Sequence, residues 1–328
     1  MKKTMQEQEI EDRLRIMGNF FDLDALLEAR TDPEDVGRYY RLSDFAYRLF
    51  MGRTIHMGLS DDGFYHKEDL LKPAQFVERY IGTEPMNILE VGAGRIGNTR
   101  YLAKRHPEQH FTALDLPGRG FLKNRAPRNV KLVEGDYSDL SLFPENSFDL
   151  VYGVETICYA HSKERVIAEC SKVLKPGGWL VIFDGYNTKP QEQMTEFERR
   201  FTSIACAGMR VTTKDQYIGN IPLYLEKHGF GDIEICDVTQ QIRPTLRRLD
   251  RVACYAFMHP RFLRFCQRHF APDVMINAVS GWLMLFTVDG HLQEYDRIVA
   301  RKKQRCSTKK QAISLLFCGA YEDRTRDL

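Results

Sequence analysis

Residues 86–97, MNILEVGAGRIG, constrain the fold more than any other stretch of this chain. Ile88, Leu89 and Val91 form an apolar run of the kind a parallel strand shows when both of its faces are covered, with Glu90 near its end. Gly92, Gly94 and Gly97 follow in G-x-G-x-x-G spacing, and a helix is expected from about Asn98. Glycines at this spacing permit a tight turn, close approach of the backbone to a ligand and close packing of helix on strand. Alone, the pattern suits NAD, FAD or S-adenosylmethionine equally, and a turn with no ligand would read the same way.

The next hundred residues add context. The apolar segment 110–115 ends on Asp115, 21 residues after Gly94, at the carboxyl edge where a carboxylate can accept both ribose hydroxyls. Residues 130–134 predict a third strand running into Gly135-Asp136-Tyr137, and residues 148–153 a fourth. A helix should then bury Val166, Ile167, Cys170, Val173 and Leu174 on one face. Residues 174–178 (LKPGG) read as a turn and 179–183 as a fifth strand, with further strands near 233–238 and 295–300. Strands alternating with helices predict an α/β sheet. A helix over 69–81 should pack on that sheet ahead of the first strand.

Taken together, E-V-G-A-G, L-D, G-D-Y, F-D-L-V and L-K-P-G-G resemble the motifs of the class I S-adenosylmethionine-dependent methyltransferases in order and spacing. The resemblance implies a Rossmann-like, seven-stranded, mainly parallel sheet with an antiparallel last strand, and S-adenosyl-L-methionine as cofactor. It implies that Glu90 lies near the methionine amino group and that Gly92, Ala93 and Gly94 offer backbone to the methionine moiety. Asp115 would hold the ribose diol, Leu116 pack on the adenine, Asp136 accept from its exocyclic amine and Tyr137 set its backbone beside the ring. Val154 and Glu155 would border the sulfur. Asp149 is read as capping or orienting its strand.

Residues 38–60, with Tyr39, Tyr40, Tyr47 and I-H-M-G-L, resemble the N-terminal lid of the sterol and tocopherol methyltransferase group, which implies that Tyr40 covers the cofactor. Residues 152–160, YGVETICYA, look like the sterol-type motif Y-x-I-E-A-T-C-H-A: Glu155 and Cys158 match, whereas Thr156, Ile157 and Tyr159 depart from it. Tyr152 and Tyr159 are the candidate acceptor-binding residues. For C-methylation, Glu155 with Tyr152, Tyr159 and Tyr40 would stabilise a carbocation; for O- or N-methylation, His56 or His161 would serve as base. Either histidine also reads as a structural residue, at a turn and at a helix start. With no clustered carboxylates, no metal is expected.

A net charge of +2 predicts no nucleic-acid partner, and no apolar run reaches the length of a membrane span. Acidic residues interrupt the basic N-terminus before any signal-peptide core, and the eight cysteines form no C-x-x-C pair, so a cytoplasmic chain with reduced thiols is expected. The expected organisation is a helical cap over 1–85, the cofactor-binding domain over 86–303 with an insertion at 241–289, and a disordered tail over 304–328. In the insertion Arg261, Arg264 and Arg268 share one helical face. Two readings stand: a core-packed helix with a solvated basic stripe, or a pocket roof that touches a membrane surface. The expected activity is methyl transfer to a small, largely apolar, isoprenoid- or polyketide-like acceptor. An NAD-dependent oxidoreductase and a non-catalytic cofactor-binding scaffold are the alternatives, and nothing in the sequence marks an oligomeric state.

Overall fold

The computed structural model describes residues 4–28, 35–38, 56–117, 121–270, 272–304 and 316–317. Seven strands build the mixed sheet: β1 (Asn87–Val91), β2 (His110–Asp115), β3 (Val130–Glu134), β4 (Phe148–Val154), β5 (Leu174–Asn187), β6 (Phe230–Asp237) and β7 (Gln293–Lys302). Their order is β3-β2-β1-β4-β5-β7-β6, and a two-residue strand β8 (Leu316–Phe317) adds a parallel edge beside β6. Strands β1 to β5 pair in parallel. The last long strand, β7, runs antiparallel between β5 and β6, as expected. Of the expected tail, β8 and Gln304 are described and the remainder lies outside the described residues, as do Tyr39, Tyr40 and Tyr47 of the expected lid.

The N-terminal part holds α1 (Met5–Gly18) and α2 (Leu23–Leu27). The single helix expected over 69–81 is instead three pieces: a 3-10 turn Lys67–Leu71, α3 (Lys72–Val77) and a 3-10 turn Glu78–Tyr80. Pro73 explains the break, because a residue without an N–H fits only the first turn of a new helix. After the glycine turn comes α4 (Gly97–Arg105), and after β4 comes α5 (Lys163–Val173), which buries Val166, Ile167, Cys170 and Val173 as the spacing predicts. The expected turn at 174–178 is already strand: β5 begins at Leu174, which pairs with Phe148 across an irregularity. Asp149 orients β4, accepting from the Asn87 amide at 2.9 Å and pairing with Lys175 at 2.8 Å.

Beyond β5 lie α6 (Glu196–Ala207) and α7 (Ile221–Lys227). Between β6 and β7 the insertion folds as α8 (Thr239–Met258), α9 (Pro260–His269) and α10 (Pro272–Asp289). One sheet face packs Leu180, Ile182, Tyr186 and Ile298 against α5 and α7. The other packs Leu150, Val181, Phe183 and Val299 against α3, α4 and the base of α8. A further core forms away from the sheet, where Met17, Leu23 and Leu26 meet Ile204, Phe257, Leu263 and Trp282. Arg13 fastens it, donating to Asp250 and to the Trp282 carbonyl (2.8 Å). The N-terminal helices, α6 and the insertion thus share one helical layer.

Candidate active site

At the carboxyl ends of β1, β2 and β4 the chain leaves a cavity of about 310 Å³. The glycine turn forms one wall. Gly92 has φ +65°, and a Cβ there would lie 1.7 Å from Thr156 Oγ1, so only glycine lets the β1 and β4 loops touch. Gly94, at φ +52°, has nothing closer to a Cβ position than Asp115 Oδ2 at 4.0 Å, so this backbone faces open space where a ligand can approach.

Two carboxylates line the cavity from neighbouring strand ends. Asp115, buried at the end of β2, accepts from the Gly94 amide and from the Leu116 amide (2.7 Å). Asp136, after β3, accepts from the Ser138 amide at 2.7 Å. The Tyr137 hydroxyl donates to the Thr156 carbonyl at 2.8 Å, and the residue lines the cavity. Leu116 and Val154 line the same space.

Glu90 lies deeper. It accepts from the Thr99 amide (3.1 Å), the Thr99 hydroxyl and Asn98 Nδ2 (3.4 Å), and burial pushes its carboxyl up to about 7. His56 meets the same network, with Nε2 3.2 Å from Asn98 Oδ1 and Nδ1 2.9 Å from the Met57 carbonyl, and burial lowers its pKa. Tyr152 does not join the cavity wall. It is fully buried behind Glu90 with its hydroxyl 3.1 Å from Thr99 Oγ1, because β4 turns this side chain toward α4.

The loop after β4 supplies the other wall. Glu155 has φ +48°, a backbone region that non-glycine residues seldom occupy and that recurs at functional sites. Its carboxylate accepts from the Met57 amide and from Tyr295 Oη at 2.9 Å. Burial, with Asp184 nearby, raises it to about 8 against those two hydrogen bonds. Tyr159 and the exposed His161 also line the cavity, beside Ser162, the N-cap of α5. Two buried charges hold this loop from behind: Asp184 accepts from the Thr156 (3.1 Å) and Cys158 (2.9 Å) amides, and Lys163 Nζ donates to the Ala160 carbonyl (2.8 Å).

Of the predicted site residues, all but Tyr152 and the undescribed Tyr40 therefore come together at one cavity. Sequence reasoning missed Asn98, Thr99, Asp184, Lys163 and Tyr295. Asn98 and Thr99 follow the glycine turn directly and were within reach of a reading that asked what a buried Glu90 must accept from. No insertion residue lines the cavity among the described residues, so the pocket-roof expectation for 241–289 gains no contact there. Among the described residues no group of three or more potential ligands could hold a metal, and no helix is long and apolar enough to cross a membrane.

Residues 89–182 match the family described as "Methyltransferase domain". Sterol 24-C-methyltransferase ERG6B of Gibberella zeae is 30% identical over 50% of this chain and 45% of its own length. The chain spans about half or less of the length of the fungal sterol methyltransferases it matches. The S-adenosyl-L-methionine-dependent Diels-Alderase iccD of Talaromyces variabilis is 26% identical over 74% of this chain and 86% of its own. Among solved structures, the [4+2]-cyclase SpnF shares the fold at a TM-score of 0.65 and 18% identity, over 83% of this chain and 96% of its own. Geranyl diphosphate C-methyltransferase from Streptomyces coelicolor A3(2) does so at 0.57 and 15%, over 82% and 97%.

Proposed function

We propose that this chain, whose residues 89–182 match a methyltransferase domain, is a class I S-adenosylmethionine-dependent enzyme that transfers a methyl group to a small, largely apolar acceptor. The observation that carries this reading is the convergence of Asp115, Asp136, the open Gly94 backbone and Glu155 on one cavity. The residues fit the cofactor: two carboxylates from adjacent strand ends suit a ribose diol and an adenine amine, and the glycine turn leaves room for the amino-acid end. When bound, S-adenosylmethionine supplies a methyl group on a positively charged sulfur. Glu90, held by Asn98 and Thr99, orients the amino end.

The chain's own contribution is positioning, exclusion of water and control of a proton. Glu155 stands just past β4, where the sulfur and acceptor would meet. In its ionised form it favours positive charge on the acceptor and can take the proton the acceptor loses. Tyr295 and the Met57 amide fix its orientation. His161 and Tyr159, at the same wall, face the acceptor side, while His56 serves Asn98 in this reading and is a positioning residue. The sterol and geranyl diphosphate methyltransferases among its relatives support an isoprenoid-like acceptor. On the same reading, residues 1–85 form a cap and 86–303 the catalytic domain. A cytoplasmic setting belongs to the same reading.

Calorimetry with S-adenosylhomocysteine and with NADH, followed by transfer of labelled methyl to an extract of apolar metabolites, tests the proposal. Binding of NADH in preference to S-adenosylhomocysteine would overturn it. A second reading, a cycloaddition enzyme that binds the cofactor without consuming it, is favoured by the broad coverage of the S-adenosyl-L-methionine-dependent Diels-Alderase match. It predicts tight S-adenosylhomocysteine binding with no label transferred to any acceptor.

A further inference from the structure

We propose that the outer face of α8 and α9 is a docking surface for an anionic lipid bilayer. Twelve large hydrophobic side chains are exposed among the described residues, and six of them fall in this short region: Val252, Tyr255, Met258, Phe262, Phe265 and Phe270. Tyr255 is 58% and Phe265 55% exposed, so these rings stand outside the core. The orientation is fixed from below. Leu263 and Cys266 of α9 are buried in the helical core with Phe257 of α8, which leaves Phe262 and Phe265 pointing outward. Tyr255 and Phe262 lie 5.9 Å apart, centroid to centroid, and join the two helices into one surface.

The charge on this surface has one sign. Asp250 is the only acidic residue of α8 and α9, and it is taken by Arg13. Arg247, Arg251, Arg261, Arg264 and Arg268 are exposed and have no ion-pair partner among the described residues. Aromatic side chains flanked by arginines on one exposed helical face are the composition of an interfacial helix lying in the headgroup plane. Other occupants lack this complementarity. The chain's own residues 305–328 carry five basic and three acidic residues, and a second copy meeting the same face would set arginine against arginine. Nucleic acid would answer the charge, but not six exposed apolar side chains. A surface that rests on a membrane would also place the enzyme where apolar acceptors partition; this consequence depends on the proposed function, whereas the docking surface does not.

Sedimentation of the full chain with vesicles tests the proposal, comparing phosphatidylcholine alone with phosphatidylcholine containing phosphatidylglycerol. Two variants are compared with the parent: Arg261→Gln/Arg264→Gln/Arg268→Gln, and Phe262→Ser/Phe265→Ser. Melting temperature and S-adenosylhomocysteine affinity are measured alongside, and both should stay at parental values because the altered side chains are exposed. The parent should bind the anionic vesicles in a salt-sensitive manner, the arginine variant roughly a hundredfold more weakly, and the phenylalanine variant roughly tenfold more weakly. No binding to anionic vesicles, or binding that survives either substitution set, overturns the proposal. So does binding to a random DNA duplex, or self-association in the ultracentrifuge, that replaces vesicle binding. If the phenylalanine variant precipitates, the arginine variant decides alone. Loss of vesicle binding with cofactor affinity intact separates this surface from the site chemistry.

Discussion

Tyr295 reaches back 140 residues along the chain to donate its hydroxyl to Glu155 at 2.9 Å. The contact joins the antiparallel strand that completes the sheet to the loop that borders the cavity. A half-buried carboxylate with two donors is held in one orientation, and desolvation is the largest influence on its proton affinity.

This arrangement gives Glu155 a pH signature. Its pKa is raised from 4.5 to about 8, so the folded protein binds a proton there that the unfolded chain releases above about 4.5. The stability contribution of this group is therefore intact below 4.5 and falls as pH rises toward 8. If the ionised form acts, turnover should climb through pH 8. Glu155→Gln should flatten that limb and cut turnover at least tenfold, with cofactor affinity near the parental value and a higher melting temperature at pH 8. A kcat–pH profile for both proteins decides the point, and an unchanged profile would make Glu155 only a wall.

Replacing Asp115 by alanine should weaken S-adenosylhomocysteine binding roughly ten- to a hundredfold, since hydrogen bonds to a charged group contribute about 1.5–3 kcal/mol. Circular dichroism should show the fold retained. Near-parental affinity in the folded variant would remove Asp115 from the ribose site.

The two turn glycines should respond unequally to alanine. At Gly92 the added Cβ meets Thr156 Oγ1 at 1.7 Å and its Cβ at 2.5 Å, so the loops must part. At Gly94 the fold itself meets only the positive φ, about 1–2 kcal/mol, and the added methyl group narrows the cavity without touching protein. Gly92→Ala should lose cofactor binding in calorimetry, while Gly94→Ala keeps a measurable fraction. The reverse order would contradict the described contact between the loops.

Asp296 is buried in β7, its Oδ2 without a hydrogen-bond partner among the described residues. Burial, with Glu294 and Asp237 close by, raises it to about 9. The folded state thus keeps a proton that the unfolded chain loses above about 3.8, and stability declines across that window as pH rises. Asp296→Asn should raise the melting temperature at pH 8, by a free energy on the order of 1–3 kcal/mol, and change little near pH 4. A variant less stable than the parent at pH 8 would refute this.

How much of this could be read from the sequence followed distance along the chain. Asp115, Asp136 and the glycine turn were legible because each sits within three residues of the end of an apolar run, and strand ends in such sheets meet at one edge. Tyr152 misled because its motif position says nothing about which face of β4 it occupies. Tyr295 and Lys163 were invisible for a different reason: they act by reaching a loop made by other elements, and no local pattern records such a partner. The start of β5 at Leu174 overrode Pro176 and the glycines after it, since the strand tolerates them across an irregular register. Phe262 and Phe265 look like core residues in sequence, and only the packing of Leu263 and Cys266 shows which side of α9 faces out.

The placement of β7 also orders events during synthesis. Gln293 pairs with Asn187, 106 residues upstream, and the same strand separates β5 from β6. A nascent chain that has emerged as far as α10 therefore shows two open strand edges at once, with the helical layer already available to collapse. Those edges invite pairing with each other or with a neighbouring chain. The slot between them fills only when residues 293–302 leave the ribosome, and Glu155 gains its tyrosine partner in the same step.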